Sequence, residues 1–322
     1  MRRAKISVIG AGNIGGECAR SIAMKELGDV VLIDIPEKEG VAKGKALDIA
    51  SCAPIERFDC TLTGGSNYEA IAGSDVVVVT AGVPRKPGQS RDDLVGINSG
   101  IVKGVCENIR KHAPNSIVIL VSNPLDAMVY VAWKTTGFHH SKVIGQAGAL
   151  DVARFRAFLA MKLGCSVEDV TALLLGGHGD DMVPLPNFTS VHGIPIRQLL
   201  PENVITECVD RAKQGGGEIV KLMGTSAWYA PSAGTVQMVE AIVRDKKRII
   251  PCAAYCEDEY GVATGQPGKG LFVGVPVVLG SKGVEKIVPI TLTGDEKALL
   301  DKSVSSVREL VGIVKKLMPE MA

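Results

Sequence analysis

The sequence has almost no net charge, because 36 Lys and Arg residues stand against 35 Asp and Glu residues along 322 positions. This balance produces no overall field that would attract nucleic acid or an anionic membrane, so neither partner is expected. Long apolar runs are also missing. Val76–Val79 and the run 117–121 have the length of strands and fall far short of a membrane span. The first residues run into an apolar strand without space for a secretory signal, which predicts a cytoplasmic location.

A paired-cysteine motif is the third absence. The eight cysteines are scattered through the chain without a CxxC pair. Cys252 and Cys256 lie four residues apart, but no histidine or further cysteine stands near them in the sequence to complete a zinc site. The sequence therefore predicts reduced, buried thiols and no metal. With 46% hydrophobic and 22% charged residues, the composition is that of an ordinary globular enzyme.

A glycine-rich turn follows the first predicted strand, which ends at Ile9. Gly10, Gly12 and Gly15 have the GxGxxG spacing of a dinucleotide-binding turn. The first glycine allows a tight turn, the second lets the main chain approach a pyrophosphate, and the third lets the helix pack on the sheet. The helix from about Ile14 directs its N-terminal amides at the phosphates. Because many glycine-rich turns bind nothing, the prediction of a dinucleotide site depends on its context.

That context is an acidic residue at the end of the second predicted strand. Asp34 lies 19 residues after Gly15, where its carboxylate can accept from the hydroxyls of the adenosine ribose. A carboxylate at this point repels a 2′-phosphate and so favours NAD over NADP. The alternative is an Asp that caps a turn beside a glycine loop without a ligand. The combined spacing favours the binding site.

Strands and helices alternate along the first half of the chain. This order predicts an α/β fold in which a Rossmann-type, doubly wound parallel sheet forms an NAD-binding domain over residues 1–146. The second half, residues 147–322, is predicted as an α+β catalytic domain for the substrate. Its pattern indicates a helix at 150–163, a strand at 170–175, shorter strand-like pieces, two antiparallel strands and a C-terminal helix with one apolar stripe.

A basic loop follows the apolar strand Val76–Val79. Arg85, Lys86 and Arg91 lie on it, at the carboxyl edge of the predicted sheet, where open α/β folds bind ligands. Glycines at both ends of the loop and prolines between them suit a lid that closes over an anionic substrate. A solvated basic loop explains the same residues equally well on spacing alone.

Three polar residues of the second half are candidates for chemistry. Asp151 and Arg154 share one face of a predicted helix, where they form either part of a site or an ordinary surface ion pair. His178 follows a strand and has glycines on both sides, which would let the main chain bring its imidazole close to a ligand. A histidine in such a turn is more often a surface residue, so these residues alone do not decide the matter.

Five motifs together resemble those of the lactate/malate dehydrogenase family. They are GAGNIG at 10–15, GVPRKPGQSRDDL at 82–94, VSNP at 121–124, LDVARF at 150–155 and GGHGDD at 176–181. Their order and spacing match over nearly the whole chain, and they look most like those of the lactate-dehydrogenase-like malate dehydrogenases. Lactate dehydrogenases typically carry Gln where this chain has Arg85. The resemblance implies reversible, NAD-dependent hydride transfer between malate and oxaloacetate.

The same resemblance implies a role for each candidate. His178 would donate a proton to the substrate oxygen and remove it in reverse, and Asp151 would hold the imidazole tautomer. Arg154 would bind the C1 carboxylate of the substrate, while Arg91 would polarise its carbonyl group. Arg85 would bind the second carboxylate, which malate has and lactate lacks.

The resemblance also implies which residues contact the cofactor. They are Gly10, Gly12, Asn13, Ile14, Gly15, Asp34, Asn98, Val121, Ser122 and Asn123. Asn123 would also donate a hydrogen bond to the substrate oxygen. A homodimer or homotetramer is expected, and the apolar patterns do not choose between them. Two alternatives remain open: a lactate dehydrogenase, against which Arg85 argues, and a catalytically silent NAD-binding regulator, for which a proton donor would be superfluous.

Overall fold

The structure is a computed structural model that describes residues 2–84, 91–179, 181–263 and 269–321. The side chains of Arg91 and Asp92 lie outside this description. The predicted roles of Arg85, Lys86 and the Arg91 side chain therefore fall outside the described residues.

Helices and strands alternate through the described part of the chain. The strands are β1 (Lys5–Ile9), β2 (Asp29–Ile33), β3 (Leu62–Gly65), β4 (Val76–Val79), β5 (Ile117–Leu120), β6 (Val143–Gly145), β7 (Val170–Thr171), β8 (Leu174–Leu175), β9 (Val183–Pro184), β10 (Ser190–Val191), β11 (Ile194–Pro195), β12 (Arg248–Cys256), β13 (Leu271–Gly280) and β14 (Gly283–Ile287). The helices are α1 (Asn13–Met24), α2 (Glu39–Ser51), α3 (Ala53–Glu56), α4 (Arg91–His112), α5 (Leu125–Thr136), α6 (Ala147–Leu163), α7 (Glu202–Met223), α8 (Tyr229–Val243) and α9 (Gly294–Leu317).

Nine of these strands form one sheet in the order β14-β13-β12-β6-β5-β4-β1-β2-β3. The strands from β1 to β6 pair in parallel, which confirms the predicted doubly wound α/β fold. Beyond β6 the sheet continues antiparallel, beginning with the pair Gly145 and Ala253. The predicted division after residue 146 falls between β6 and α6. Since three strands of the second half extend the sheet of the first, the division into two domains stays a prediction.

The central strands are apolar because helices cover them on both sides. Every residue of β4 and β5 is buried, as expected for parallel strands in the middle of such a sheet. Helix α1 packs on α8, and helices α4, α5 and α9 pack on one another. A second apolar cluster, which includes Phe155, Leu159, Leu174 and Ile205, joins α6 to α7 and to the short strands. This cluster holds α6 against α7, while α6 also packs on β12 of the large sheet.

The shorter strand-like pieces predicted after residue 175 are confirmed in part by β9, β10 and β11. The rest of that stretch forms two long helices, α7 and α8, so the prediction is wrong there. Three consecutive glycines at 215–217 lie within α7, and Pro231 lies in the first turn of α8. Both features lower intrinsic helix propensity or mark a helix boundary. Packing of α7 on α6 and of α8 on α1 outweighs that preference. The predicted strand at 170–175 is split into β7 and β8, which pair with different partners.

The C-terminal helix α9 confirms the predicted apolar stripe. Leu300, Val304 and Val307 are among its buried residues. Thr293 caps the helix, because its hydroxyl accepts from the main-chain N–H of Glu296 while the Glu296 carboxylate accepts from the N–H of Thr293.

The cysteines of the chain are unpaired thiols. All eight cysteines are free, and burial raises the pKa of both Cys18 and Cys106 to about 12, so these thiols are unreactive. Within the described ranges, no helix combines the length and apolar character needed to cross a bilayer. The same ranges contain no group of three or more His, Cys, Asp and Glu side chains placed to hold a metal ion.

Candidate active site

The glycine turn connects β1 to α1 at the carboxyl edge of the sheet. Gly10 has φ +108°, and a Cβ there would lie 2.6 Å from the Thr80 hydroxyl oxygen. A Cβ at Gly15 would lie 1.8 Å from the carbonyl oxygen of Gly10, so the helix can pack this closely only without a side chain. Nothing lies within 4 Å of the corresponding position at Gly12. The turn therefore has open space at the glycine to which the sequence assigns the approach of a pyrophosphate.

The start of α1 can receive an anion. Its N-cap residue is Gly12, which makes no side-chain capping bond, and the first turn carries no acidic residue. Asn13, the first helical residue, is exposed, and Ile14 is half-buried. The first amide groups and the positive end of the helix dipole are thus available for a phosphate group.

Asp34 lies beside this turn, at the end of β2. One carboxylate oxygen accepts from the main-chain N–H of Ala11 at 2.7 Å, and the other accepts from the N–H of Ile35 at 2.8 Å. These bonds tie the glycine turn to β2. Each carboxylate oxygen has a further lone pair, so the half-buried Asp34 keeps the capacity to accept from ribose hydroxyls.

Lys45 is a neighbour of the glycine turn that sequence reasoning missed. Its Nζ atom donates to the carbonyl oxygen of Gly12 at 2.8 Å. Burial lowers the pKa of this lysine, while the charge of Asp34 opposes the shift. The residue lies on α2, away from any recognised motif, and its sequence surroundings give no signal of this contact.

Asn98 of α4 and Ser122, which follows β5, bind main-chain groups of the segments after β4 and β5. Buried Asn98 accepts from the N–H of Val83 at 2.9 Å and donates to the carbonyl oxygens of Val83 at 3.1 Å and Asn123 at 2.6 Å. The Ser122 hydroxyl donates to the carbonyl oxygen of Ala81 at 2.6 Å. Asn98 and Ser122 therefore hold the two strand ends together. Their predicted contact with the cofactor stays a prediction.

A cavity of about 240 Å³ brings together five of the predicted site residues, from both halves of the chain. These five are Ile14, Val121, Asn123, Arg154 and His178. They come from α1, from the segment after β5, from α6 and from the turn after β8. The cavity thus connects the N-terminal end of α1 with the candidate proton donor.

His178 and Asp151 form a close pair at this cavity. The Nδ1 atom of His178 lies 2.9 Å from a carboxylate oxygen of Asp151, whose side chain is only 3% exposed. Burial alone would lower the pKa of His178, but the Asp151 carboxylate outweighs it, so the pKa is raised above its usual value. Because Nδ1 faces Asp151, Nε2 is the ring nitrogen left for a substrate. The His178 side chain is 21% exposed, which leaves it accessible.

Arg154 is a nearly buried cation with an incomplete set of partners. Its guanidinium lies 3.7 Å from the other carboxylate oxygen of Asp151, and its Nε atom has no hydrogen-bond partner among the described residues. Burial lowers its pKa. Gly215 of α7 makes room for it, because a Cβ there would lie 3.1 Å from the Arg154 side chain. An under-paired, buried guanidinium beside a cavity is suited to bind a carboxylate.

Sequence reasoning missed several other residues of the site. Gln146, Ser226 and Ala227 line the cavity, and Asp126 accepts from the main-chain N–H of His178 at 3.0 Å. The run of glycines in α7 is the single sequence signal that could have indicated a close approach of α7 to α6. A larger groove of about 760 Å³ lies at the opposite edge of the sheet, near Arg2 and Asp75, and contains none of the predicted site residues.

Comparison with known proteins places this geometry in a family. Residues 4–145 match the model of the lactate/malate dehydrogenase NAD-binding domain, and residues 148–317 match that of the lactate/malate dehydrogenase alpha/beta C-terminal domain. The chain belongs to the lactate/malate dehydrogenase family. The predicted family, the oxidoreductase class and the cofactor NAD are thereby confirmed.

Relatives within the lactate/malate dehydrogenase family match the chain over nearly its full length. It is 56% identical to a malate dehydrogenase of Rhodopirellula baltica over 99% of this chain and 100% of the relative. It is 54% identical to a malate dehydrogenase of Heliobacterium modesticaldum over 97% and 99%, respectively.

Solved structures of the family share the fold. The malate dehydrogenase of Salinibacter ruber has a TM-score of 0.92 at 48% identity, with 99% of this chain and 100% of that chain covered. A lactate dehydrogenase of Cryptosporidium parvum, complexed with lactic acid and nicotinamide adenine dinucleotide, also has a TM-score of 0.92, at 39% identity and with 98% and 99% covered. Because both activities occur on the same backbone, the fold does not choose between them.

Proposed function

We propose that the chain is an NAD-dependent malate dehydrogenase, which interconverts malate and oxaloacetate. The observation that carries the proposal is the arrangement of His178, Asp151 and Arg154 around one cavity: a paired imidazole with a free Nε2 atom next to an under-paired guanidinium. Reduction of a 2-oxo acid requires a proton donor and a carboxylate clamp, and this cavity has a candidate for each.

The glycine turn fits the cofactor. The open space at Gly12, the uncapped start of α1 and the carboxylate of Asp34 suit a pyrophosphate and an adenosine ribose without a 2′-phosphate. When bound, the reduced nicotinamide supplies the hydride. Ile14 and Val121 line the cavity, where they would hold the cofactor and exclude water.

His178 is the proposed acid and base. Asp151 accepts from Nδ1 and thereby directs Nε2 to the substrate oxygen. In the direction of oxaloacetate reduction, the charged imidazole gives its Nε2 proton to that oxygen. In the direction of malate oxidation, the neutral imidazole takes the proton back. Asp151 stabilises the imidazolium form, which is the form that reduction consumes.

Two further side chains would orient the substrate. Arg154 would bind the C1 carboxylate through two parallel hydrogen bonds, which fixes the carbonyl carbon relative to the nicotinamide. Asn123, exposed at the cavity, would donate to the substrate oxygen. Arg91, whose side chain lies outside the described residues, is assigned the polarisation of the carbonyl group from the family resemblance alone.

The choice of malate over lactate depends on Arg85, which also lies outside the described residues. A guanidinium on the loop before α4 would pair with the second carboxylate of oxaloacetate, whereas pyruvate would leave it without a partner. The malate dehydrogenases at 56% and 54% identity support this choice. A lactate dehydrogenase on the same scaffold is the second candidate, since a solved lactate dehydrogenase shares the fold equally well.

One assay tests these candidates together. Purified protein is mixed with NADH and either oxaloacetate or pyruvate, and the loss of NADH absorbance gives kcat/KM for each. We expect kcat/KM for oxaloacetate to exceed that for pyruvate by about three orders of magnitude. A preference for pyruvate would favour the lactate dehydrogenase. No turnover of either, with NADH still bound, would favour the silent regulator.

The remaining features of the proposal are the setting and the assembly. A small-molecule 2-oxo or 2-hydroxy acid is the partner, and neither nucleic acid nor a membrane is proposed as one. We place the enzyme in the cytoplasm as a homodimer or homotetramer. Light scattering in solution at several protein concentrations distinguishes these two assemblies from each other and from a monomer.

A further inference from the structure

The turn that carries His178 is held by three successive main-chain N–H groups, each bound to a different element. The N–H of Gly176 donates to the carbonyl oxygen of Gly274 on β13 at 2.8 Å. The N–H of Gly177 donates to the hydroxyl oxygen of Ser303 on α9 at 2.8 Å. The N–H of His178 donates to a carboxylate oxygen of Asp126 on α5 at 3.0 Å. The position of the imidazole therefore depends on three parts of the fold.

Asp126 differs from the other two acceptors because it is an acid. It is only 4% exposed, and its second carboxylate oxygen is buried without a hydrogen-bond partner among the described residues. Ser303 holds the neighbouring N–H with a neutral group, so holding a main-chain N–H does not require a charge. A buried, half-satisfied carboxylate is costly. The hydrogen bond to His178 alone does not explain why a charged residue, and not a neutral one, lies next to the candidate proton donor.

The position of Asp126 in the chain suggests that reason. It lies in the first turn of α5, three residues after Asn123, which lines the cavity. The hydrogen bond to His178 thus joins the segment after β5, which carries Asn123, to the turn after β8. The two groups proposed to face the substrate oxygen are linked through one side chain.

We propose that Asp126 is a positioning residue for the dehydrogenase reaction: its carboxylate fixes the main chain of His178 to the Asn123 segment and adds a second negative charge beside the imidazole. The inference rests on the proposed function of His178 as proton donor. Among the described residues, the charged groups that bear on the imidazole are Asp151 and Asp126, which are acidic, and Arg154, which is basic. Within this described set, the protonated imidazole and Arg154 carry two positive charges opposite two negative ones.

Removal of the Asp126 charge should therefore favour the neutral imidazole. The carboxylate of Asp126 contributes to the raised pKa of His178, after the larger opposing effect of burial and the larger contribution of Asp151. Oxaloacetate reduction uses the protonated imidazole. In a variant without the charge, the pH above which reduction declines should move downward.

Four variants separate the positioning role from a purely structural one. Asp126→Asn keeps an oxygen that can accept from His178 but has no charge, and Asp126→Ala removes both. Ser303→Ala removes the neighbouring, neutral anchor. Thr135→Val, near the other end of α5, is the matched control for a buried change in the same helix. For each, kcat and KM for oxaloacetate are measured with saturating NADH over the pH range in which histidine titrates, together with NADH affinity by fluorescence.

We expect a distinct result for each variant. Asp126→Asn should retain kcat within about threefold of wild type at low pH, while the midpoint of the decline falls by about half to one pH unit. Asp126→Ala should lower kcat by about 10- to 100-fold, because the imidazole is displaced, with NADH affinity unchanged. Ser303→Ala should lower kcat without moving the midpoint. Thr135→Val should match wild type in both.

A wild-type midpoint in Asp126→Asn would overturn the proposal, and so would wild-type kcat in a folded Asp126→Ala. If Asp126→Ala does not fold, the pH profile of Asp126→Asn decides alone. Should the wild type not reduce oxaloacetate at all, the proposed function fails. Even then, the pKa of His178 measured by NMR in wild type and Asp126→Asn tests the electrostatic part, because an unchanged value contradicts it.

Discussion

The glycine turn and the cavity beside His178 lie at the same edge of the sheet but are built in different ways. The turn is local, because all four of its residues belong to one β1–α1–β2 unit: Gly10, Gly12, Gly15 and Asp34. The roles of the three glycines depend on main-chain geometry. The cavity is assembled from five helices and four connecting segments, and His178 reaches Asp151 only because the fold brings separate elements together. A local motif can be recognised from spacing, whereas an assembled site cannot.

The same difference sets how each region responds to substitution. In the turn, a side chain at Gly10 or Gly15 would meet neighbouring atoms, so the consequence is steric, whereas Asp34 acts on the cofactor through its charge. In the cavity, His178, Asp151 and Arg154 interact through their charges. A substitution there therefore has an electrostatic consequence, which concerns the chemical step. Substitutions in the cavity should therefore change turnover while NADH binding persists, and substitutions around the turn should change cofactor selection.

The largest expected effect is the loss of the proton donor. His178→Asn should lower turnover of oxaloacetate by about three orders of magnitude, because no other described group in the cavity can supply the proton, while NADH affinity stays within about twofold. His192→Asn is the matched control, since that histidine is exposed and lies outside the cavity. Near wild-type turnover in His178→Asn would show that the catalytic assignment is wrong.

The next effect concerns the substrate. Arg85→Gln should reduce the ratio of kcat/KM for oxaloacetate to that for pyruvate by about two to three orders of magnitude, because a charge-assisted pair with the second carboxylate is lost. Lys86→Gln removes the same charge from the adjacent position and should change the ratio less, since an ammonium group does not pair bidentately. Equal effects of the two substitutions would mean that loop charge in general, and not Arg85, selects the substrate.

Cofactor selection is the test of the glycine turn. Asp34→Ser combined with Ile35→Arg should reduce the preference for NAD over NADP by about a hundredfold, because the repulsion of a 2′-phosphate is removed. NAD efficiency should also fall somewhat, since Asp34 holds the N–H of Ala11. Asp29→Ser, at the other end of β2, is the control and should leave the preference unchanged. A wild type that used both cofactors equally would contradict the placement of Asp34.

The fold was predictable from sequence where its pattern is local and apolar. The parallel strands β1, β2, β4 and β5, the antiparallel pair β12 and β13 and the stripe of α9 all follow from such patterns. Helices α7 and α8 were not predictable, because glycines at 215–217 and Pro231 argue against a helix, and only packing on α6 and α1 offsets them. The glycines are explained by Arg154, which lies against Gly215.

The site was predictable in part, and for a different reason. Asp151 and Arg154 share a helix face by spacing, but their function beside His178 followed only from family resemblance. Spacing cannot pair residues that a fold brings together across separate elements. Asp126 gave no signal, because it lies in an apolar helix directly after the VSNP motif and its role depends on a contact with a distant turn.

The smallest expected effect is on the free energy of unfolding, whose pH dependence reflects the buried carboxyl group of Asp126. Burial raises the pKa of Asp126 to about 6, from an ordinary value of 3.8. Well below pH 3.8, the carboxyl is neutral in both folded and unfolded chains and costs nothing. As the pH rises from about 4 to about 6, the unfolded chain loses this proton first, so the folded state is progressively destabilised. Above about pH 6 the difference stays constant.

Asp126→Asn removes this titration and should therefore change the pH dependence of stability. Asparagine places an amide where one carboxylate oxygen has no described partner, so at pH 4 the variant should be slightly less stable than wild type. Between about pH 4 and pH 7 the difference should shift in favour of the variant by on the order of 2 kcal/mol, because only the wild type loses stability through this group. The raised pKa of His178 acts in the same direction, since its stabilisation also fades as the pH rises and depends partly on Asp126.

Urea unfolding of both proteins at equal concentration across this range measures the difference. Parallel stability curves would mean that Asp126 titrates normally, and the electrostatic contrast between the cavity and the glycine turn would lose its thermodynamic support.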